Sequence, residues 1–296
     1  MAWSLDSIVS PLSLECFFST YWDHSFLHVE AAPGKFADLF SWQLLNEVLN
    51  HHRFHNSRLK LVRNGAQFPS RSYLSSYAQQ IEQHLLVQQL QAGYTLVLDG
   101  ADEVSMSLRE LVVEIEKTIH TPVHANLYAS WKKEEGFGIH FDDTDTLILQ
   151  VAGRKQWRVW NPTRQYPLRP DIEEVPWPTE APIWNAELVD GSMLYIPRGW
   201  WHAPKPVDEP SLHITITMPN SSGVDLIHWM ANEFRKYTVA RQNVPLLSSD
   251  QIQIEFIEQM LGCIREFWSE DVLERYRLYC HSERRSRPTI QLPQLK

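Results

Sequence analysis

The chain has 296 residues, a formal net charge of -9 and 43% hydrophobic residues. That length suits one large domain or one domain with an appendage, and the acidic balance disfavours nonspecific binding to nucleic acid or anionic membrane. Three cysteines without a C-x-x-C spacing argue against a disulfide framework and a zinc ribbon and fit a reducing, cytoplasmic setting.

The first segment, MAWSLDSIVSPLSLECFF, carries Asp6 and Glu15 and has no basic leader or long apolar run, so no signal peptide is expected. A membrane span is not expected either. SWQLLNEVLNHH (41–52) places Trp42, Leu45, Val48 and Leu49 at helix spacing, with Ser41 as N-cap. SYLSSYAQQIEQHLLVQQLQAG (72–93) reads as a second helix ending at Gly93. YTLVLDG (94–100) is a short strand, and SMSLRELVVEIEKTIH (105–120) is an amphipathic helix.

The texture changes at about Val123. VHANLYAS, TLILQVAGRKQWRVWNP, GSMLYIPRGWWHAPKP and SLHITITMP are β-type runs separated by Gly, Pro, Asp and Asn turns. They predict a sandwich or barrel of the jelly-roll kind, whose interior suits the twelve tryptophans. RQYPLRPDIEEVPWPTEAPIWNAEL (164–188) is proline-rich and acidic and reads as a long ordered loop or insertion. From about Ser222 the pattern is helical again, over 224–239, 248–269 and 270–284. The expected organisation is a domain over 1–222 and a helical region over 223–296 that packs on the β domain or on another subunit.

His140-x-Asp142 is the first candidate for chemistry. On an extended strand, residues two apart share a face, so an imidazole and a carboxylate at this spacing can converge on one cation. Asp143 would point away and Asp145 lies further into the turn. The pair alone is weak, and a solvated turn explains it equally well. His202, 62 residues on (202 − 140), can return to the same mouth. Two His and one carboxylate make a facial triad with open positions, suited to non-haem iron. Lys155 lies in a β-rich apolar segment and is costly to bury without an anion. It either clamps a carboxylate or is a solvated residue of a hairpin beginning at Gly153. Asn126 and Tyr128 share one strand face, and His213, Thr215 and Thr217 share another. Such residues line a wet cavity, or are satisfied core or solvent-facing groups. The helical pair His51 and His55 lacks an acidic or thiol partner and reads as surface, as does His52. Of Trp200 and Trp201, at least one is expected in the core.

The ordered set Asn126, Tyr128, His140-x-Asp142, LQVAGRKQWRVW, GSMLYIPRGWWHAP and HITITMP resembles the JmjC-type 2-oxoglutarate oxygenases, most closely their ribosomal oxygenase branch. The segment FFSTYWDHSFLHVE resembles that branch's lead-in, and the likeness spans roughly residues 11–222. The resemblance implies an α+β fold: a double-stranded β-helix (jelly-roll, cupin-like) core with flanking N-terminal helices and a C-terminal helical region. It implies Fe(II) held by His140, Asp142 and His202. It further implies 2-oxoglutarate paired through one carboxylate with Lys155, helped by Tyr128 and Thr217, with Asn126 near co-substrate or substrate. The implied reaction is hydroxylation of a side chain in a protein or peptide, a basic or ribosomal protein being one candidate. Two other readings stay open: hydroxylation of a small molecule or natural-product precursor peptide, and a non-catalytic cupin-like binding module. The tail departs from the branch, whose members carry a dimerising helical region followed by a winged helix. About seventy residues suit a homodimerising helical region and are short for both. The basic HSERRSRP (281–288) reads as a solvated end, and no nucleic-acid partner is expected.

Overall fold

The computed structural model describes residues 3–54, 58–75, 80–168, 175–282 and 287. The chain divides into two compact units. The first comprises residues up to Ile119 and Val123–Pro219; the second takes His120–Pro122 and the residues from Asn220 onward.

The first unit is an antiparallel sandwich. Its strands are β1 (Leu27–Val29), β2 (Leu59–Arg63), β3 (Ala66–Gln67), β4 (Thr95–Leu98), β5 (His124–Ser130), β6 (Asp145–Ala152), β7 (Arg154–Trp160), β8 (Trp184–Val189), β9 (Met193–Ile196), β10 (Trp201–Pro206) and β11 (Ser211–Met218). The larger sheet runs β1-β9-β6-β11-β5-β4-β2-β3 and the smaller β10-β7-β8. The larger sheet therefore recruits four strands from before Val123. Two of them, β1 and β3, are too short for alternation to reveal them in sequence, and β2 escapes it because the alternation in Leu59-Lys60-Leu61 is broken by Val62.

Strand β6 is buried along DTLILQV because both of its faces are covered. One face carries Leu147, Leu149 and Val151 into the main core, which also holds Leu108, Leu111, Val112 and Ile115. The other carries Ile148 into a second core with Trp157, Val159, Leu188, Leu194 and Ile196, formed between residues of both sheets. Gly153 is not the start of a hairpin, since β6 and β7 lie in different sheets. It is the corner between them, at φ +64°, and a Cβ there would lie 2.1 Å from the Pro210 carbonyl oxygen. Only glycine fits that corner.

Helices α1 (Leu5–Val9), α2 (Leu14–Cys16), α3 (Trp42–His51), α4 (Gln83–Gln91) and α5 (Met106–Ile119) belong to the first unit. Ser41 caps α3, its Oγ accepting from the Leu44 N–H at 3.1 Å. Helix α4 is shorter than expected from 72–93. Tyr73 and Leu74 are drawn into the core, and Leu74 bridges Ile81 in antiparallel fashion. Burial and strand-like pairing override the helical periodicity there, and residues 76–79 lie outside the described set. Within the supposed loop 164–188, Trp184–Leu188 belong to β8, while 169–174 are outside the described residues.

The second unit holds α6 (Gly223–Glu233), α7 (Asp250–Phe267) and α8 (Val272–Ser282). Ser222 and Asp225 form a capping box on α6. Trp229, Phe234, Phe267 and Val272 make the unit's small core. The division between the units falls at Pro219, against the expected 222. Most of the basic stretch 281–288 lies outside the described residues. No helix among the described residues is long and apolar enough to cross a membrane.

Candidate metal centre

Three side chains that are distant in sequence meet at one end of the sandwich. His140 is held to His202, at the start of β10, by a single antiparallel bridge. Its N–H donates to the His202 carbonyl at 3.0 Å, and the His202 N–H donates back at 2.7 Å. A lone bridge, in place of a regular strand, thus aligns the His140-x-Asp142 pair. The two imidazole centroids are 4.3 Å apart, and His202 Nε2 is 3.6 Å from Asp142 Oδ2. One ligand atom from each of His140, Asp142 and His202 lies within 4.8 Å of the others, the one such group of three found among the described residues.

Each imidazole is oriented by its own chain. His140 Nδ1 meets the Gly138 carbonyl at 3.1 Å, and His202 Nδ1 meets the Trp200 carbonyl at 3.0 Å. Both Nδ1 atoms are therefore donors, and both Nε2 lone pairs are available to a cation. Burial, and then the neighbouring His140, push the His202 pKa down to about 4 despite Asp142 nearby, so the ring is neutral at physiological pH.

The turn Pro197–Trp200 braces this arrangement. The Gly199 N–H donates to the Asp142 carbonyl at 2.8 Å. Gly199 has φ +81°, and a Cβ there would stand 2.7 Å from Pro167 Cδ. The Arg198 N–H donates to Asp145 Oδ1 at 2.8 Å, and Asp145 Oδ2 accepts from the Tyr195 hydroxyl at 3.0 Å. Asp145 is fully buried and begins β6, so it is not a turn residue as the sequence suggested. It is a buried carboxylate that fixes the loop bearing His202.

The three ligand candidates open into a cavity of about 180 Å³. Lys155 lines it, on the inward face of β7 with Trp157 and Val159, and is 2% exposed. Burial lowers its pKa to about 7. Its Nζ is 3.3 Å from His213 Nδ1, and no carboxylate pairs with it among the described residues. Tyr128 also lines the cavity; burial, with Asp142 and Asp99 adding to it, raises its pKa, so the phenol stays protonated. Thr215, Thr146, Thr95, Ile148 and Trp157 complete much of the wall.

Asn126 and Thr217 are not among the lining residues. Asn126 Oδ1 accepts from the Gly100 N–H at 2.9 Å, holding the turn after β4. Thr217 pairs with Thr146 and His124, one strand step beyond Thr215. Sequence reasoning did not commit to His213 and Thr215 as site residues. Their signal was the alternation that puts both on one face of β11. Of the two tryptophans, Trp201 is buried and Trp200 half-buried. His51 and His52 are exposed, and His55 lies outside the described residues.

A sequence profile for the JmjC domain matches residues 103–226. The chain's curated relatives include the bifunctional lysine-specific demethylase and histidyl-hydroxylase NO66 of Drosophila pseudoobscura pseudoobscura, 26% identical over 72% of this chain and 23% of that protein. The Caenorhabditis elegans NO66 is 29% identical over 71% and 29%. The chain thus spans only about a quarter to a third of these relatives. An uncharacterized Bacillus subtilis protein, YxbC, is 26% identical over 88% of this chain and 86% of its own length. Among solved structures, the Escherichia coli ribosomal oxygenase YcfD in complex with cobalt and 2-oxoglutarate aligns with TM-score 0.64 at 17% identity, covering 96% of this chain and 74% of that one. The chain therefore shares the fold of that structure: a jelly-roll sandwich with helices before and after it in sequence.

Proposed function

We propose that the chain is an iron(II)- and 2-oxoglutarate-dependent dioxygenase that hydroxylates a side chain of a protein or peptide. One observation carries this reading: two imidazole Nε2 atoms and one carboxylate face a cavity that also holds the buried amino group of Lys155, with which no carboxylate pairs among the described residues. The donor set fits iron(II). It has borderline nitrogen and hard oxygen ligands, only three of them, and tautomers fixed by carbonyls behind them. Bound there, iron(II) would supply the dioxygen chemistry that no side chain possesses.

The chain's own part is binding, orientation and exclusion of water. His140, Asp142 and His202 would hold the metal. Lys155 binds one carboxylate of 2-oxoglutarate, since an anion offsets the cost of burying its charge. Tyr128 adds a neutral donor. Thr215 takes the wall position expected of Thr217, while Asn126 acts indirectly through the turn at Gly100. Ile148 and Trp157 keep the cavity wall apolar between these groups, which strengthens each polar contact.

The names of the relatives point to a histidyl or ribosomal-protein side chain as the class of target. The decisive experiment measures 2-oxoglutarate consumption and the gain of one oxygen atom on candidate ribosomal proteins and peptides, by mass spectrometry. His140→Ala and Asp142→Ala are expected to abolish both; full coupled activity in either variant overturns the assignment. Oxygen added only to free metabolites overturns the protein target.

The second unit is proposed to pair with a second copy. Helix α7 shows Ile254, Ile257 and Leu261 at helical spacing, 50%, 54% and 43% exposed. A repeated apolar stripe of this kind suits a two-fold, self-complementary contact. Sedimentation should show a dimer that Ile254→Glu/Ile257→Glu converts to monomer; a wild-type monomer overturns this. We place the protein in the cytoplasm because Cys16, Cys263 and Cys280 are all unpaired.

A further inference from the structure

The carboxylate clamp contains a residue that the proposed reaction has not yet used. Lys155 and His213 are both buried, each 2% exposed, and their nitrogens Nζ and Nδ1 are 3.3 Å apart. A nitrogen–nitrogen hydrogen bond needs one donor and one acceptor. When Lys155 is an ammonium, as a carboxylate bound beside it would keep it, it has three donors and no acceptor, so Nδ1 accepts and the imidazole proton lies on Nε2. Burial, and then the Lys155 charge, keep this imidazole neutral.

His213 is pinned on two sides. The Tyr128 ring stacks on it at 4.9 Å with an interplanar angle of 3°. The Trp157 ring stands against it at 5.8 Å and 76°. On the sheet, His213 is opposite Tyr128 on β5 and Gln150 on β6. A histidine needed only for volume has no reason to aim a lone pair at a buried ammonium. All four groups, Tyr128, Lys155, Trp157 and His213, line the same cavity as the three metal-ligand candidates.

We propose that His213 is the positioning residue of Lys155: it holds one ammonium N–H in a fixed direction and leaves the other two for a single carboxylate, so the pocket prefers a dicarboxylic 2-oxo acid to a monocarboxylic one. This rests on the clamp reading above. It adds to it a selectivity that Lys155 alone, on four rotatable bonds, would not fix.

The test uses the full chain loaded with Mn(II), titrated calorimetrically with 2-oxoglutarate and with 2-oxopentanoate, which lacks the second carboxylate. His213→Leu keeps bulk and removes the acceptor; His213→Asn keeps an acceptor close to the Nδ1 position. In His213→Leu, 2-oxoglutarate is expected to bind roughly tenfold or more weakly, with 2-oxopentanoate and Mn(II) affinities unchanged. His213→Asn should restore most of the preference. An unchanged preference in His213→Leu overturns the proposal, and so does equal weakening of both oxo acids or of Mn(II).

A second measurement needs no ligand: reductive methylation of Lys155 in the metal-free protein, read by mass spectrometry at a pH below the Lys155 pKa of about 7, where the ammonium predominates. Loss of the acceptor destabilises the ammonium, so His213→Leu should label several-fold faster than wild type and His213→Asn should not. If His213→Leu fails to fold, His213→Asn against His213→Gln, which displaces the acceptor, makes the same comparison. Wild-type protein that binds neither oxo acid overturns the clamp reading. If Lys155 labelling still follows the acceptor there, the contact between Lys155 and His213 stands without it.

Discussion

The two units use their polar and apolar residues in opposite ways. The sandwich buries ionisable groups: Lys155, Asp145, His202 and His213 are each 4% exposed or less. The helical unit exposes hydrocarbon: Leu247, Leu273 and Leu278 are at least 60% exposed, besides the α7 stripe. Buried ionisable groups are expensive unless paired or employed. Asp145 is paired, with Tyr195 and the Arg198 N–H. Among the described residues Lys155 meets a neutral imidazole and no carboxylate, which fits a group kept for a ligand. The contrast teaches where each unit's function lies, in a cavity for one and on a surface for the other.

Four measurements probe that contrast. The largest effect is expected at the corner between the sheets. Gly153→Ala places a methyl against the Pro210 carbonyl at a positive φ and should cost roughly 4 kcal/mol in urea unfolding, or prevent folding. A loss under about 1 kcal/mol would mean that the corner is soft. Next, Leu149→Ala in the fully buried β6 should destabilise by roughly 2–5 kcal/mol.

Lys155→Met gives a smaller effect with a pH signature. The native Lys155 pKa of about 7 lies below the ordinary 10.5. Between those values the unfolded chain binds more protons than the native one, so the Lys155 contribution to stability rises with pH through this window. The metal-free methionine variant should therefore exceed wild type most near neutral pH or below, and the gap should close as pH approaches 10. A gap independent of pH would show that Lys155 is solvated. Last, Ile257→Gln should change the unfolding free energy of the dilute monomer by no more than about 0.5 kcal/mol, because its side chain is already half in water. A loss above 2 kcal/mol would mean that α7 is a core helix.

Much of the candidate site was legible in the order of motifs. His140, Asp142 and His202 were candidates by residue type and spacing and were singled out by the family resemblance, and the structure brings them together. The turn Pro197–Gly199 shows why a glycine stands there: the Gly199 N–H anchors the Asp142 carbonyl where no side chain fits. Asn126 and Thr217 were placed on the right faces, but the cavity ends short of them. Alternation along a strand gives the face and not the depth. The segment 72–93 misled because its apolar spacing suits a helix, whereas Tyr73 is fixed elsewhere by its hydroxyl donating to the Leu59 carbonyl.

The sequence by itself determined the β-rich middle, the helical end and the chemical types available at the metal-ligand positions. These are properties of local periodicity and side-chain chemistry. Tertiary structure alone decided that Lys155 points inward, that Asp145 is a buried brace, and that four early strands complete the larger sheet. Those outcomes depend on which strands become neighbours. Pairing between segments far apart in sequence is set by packing of the whole sandwich, and no local pattern records it.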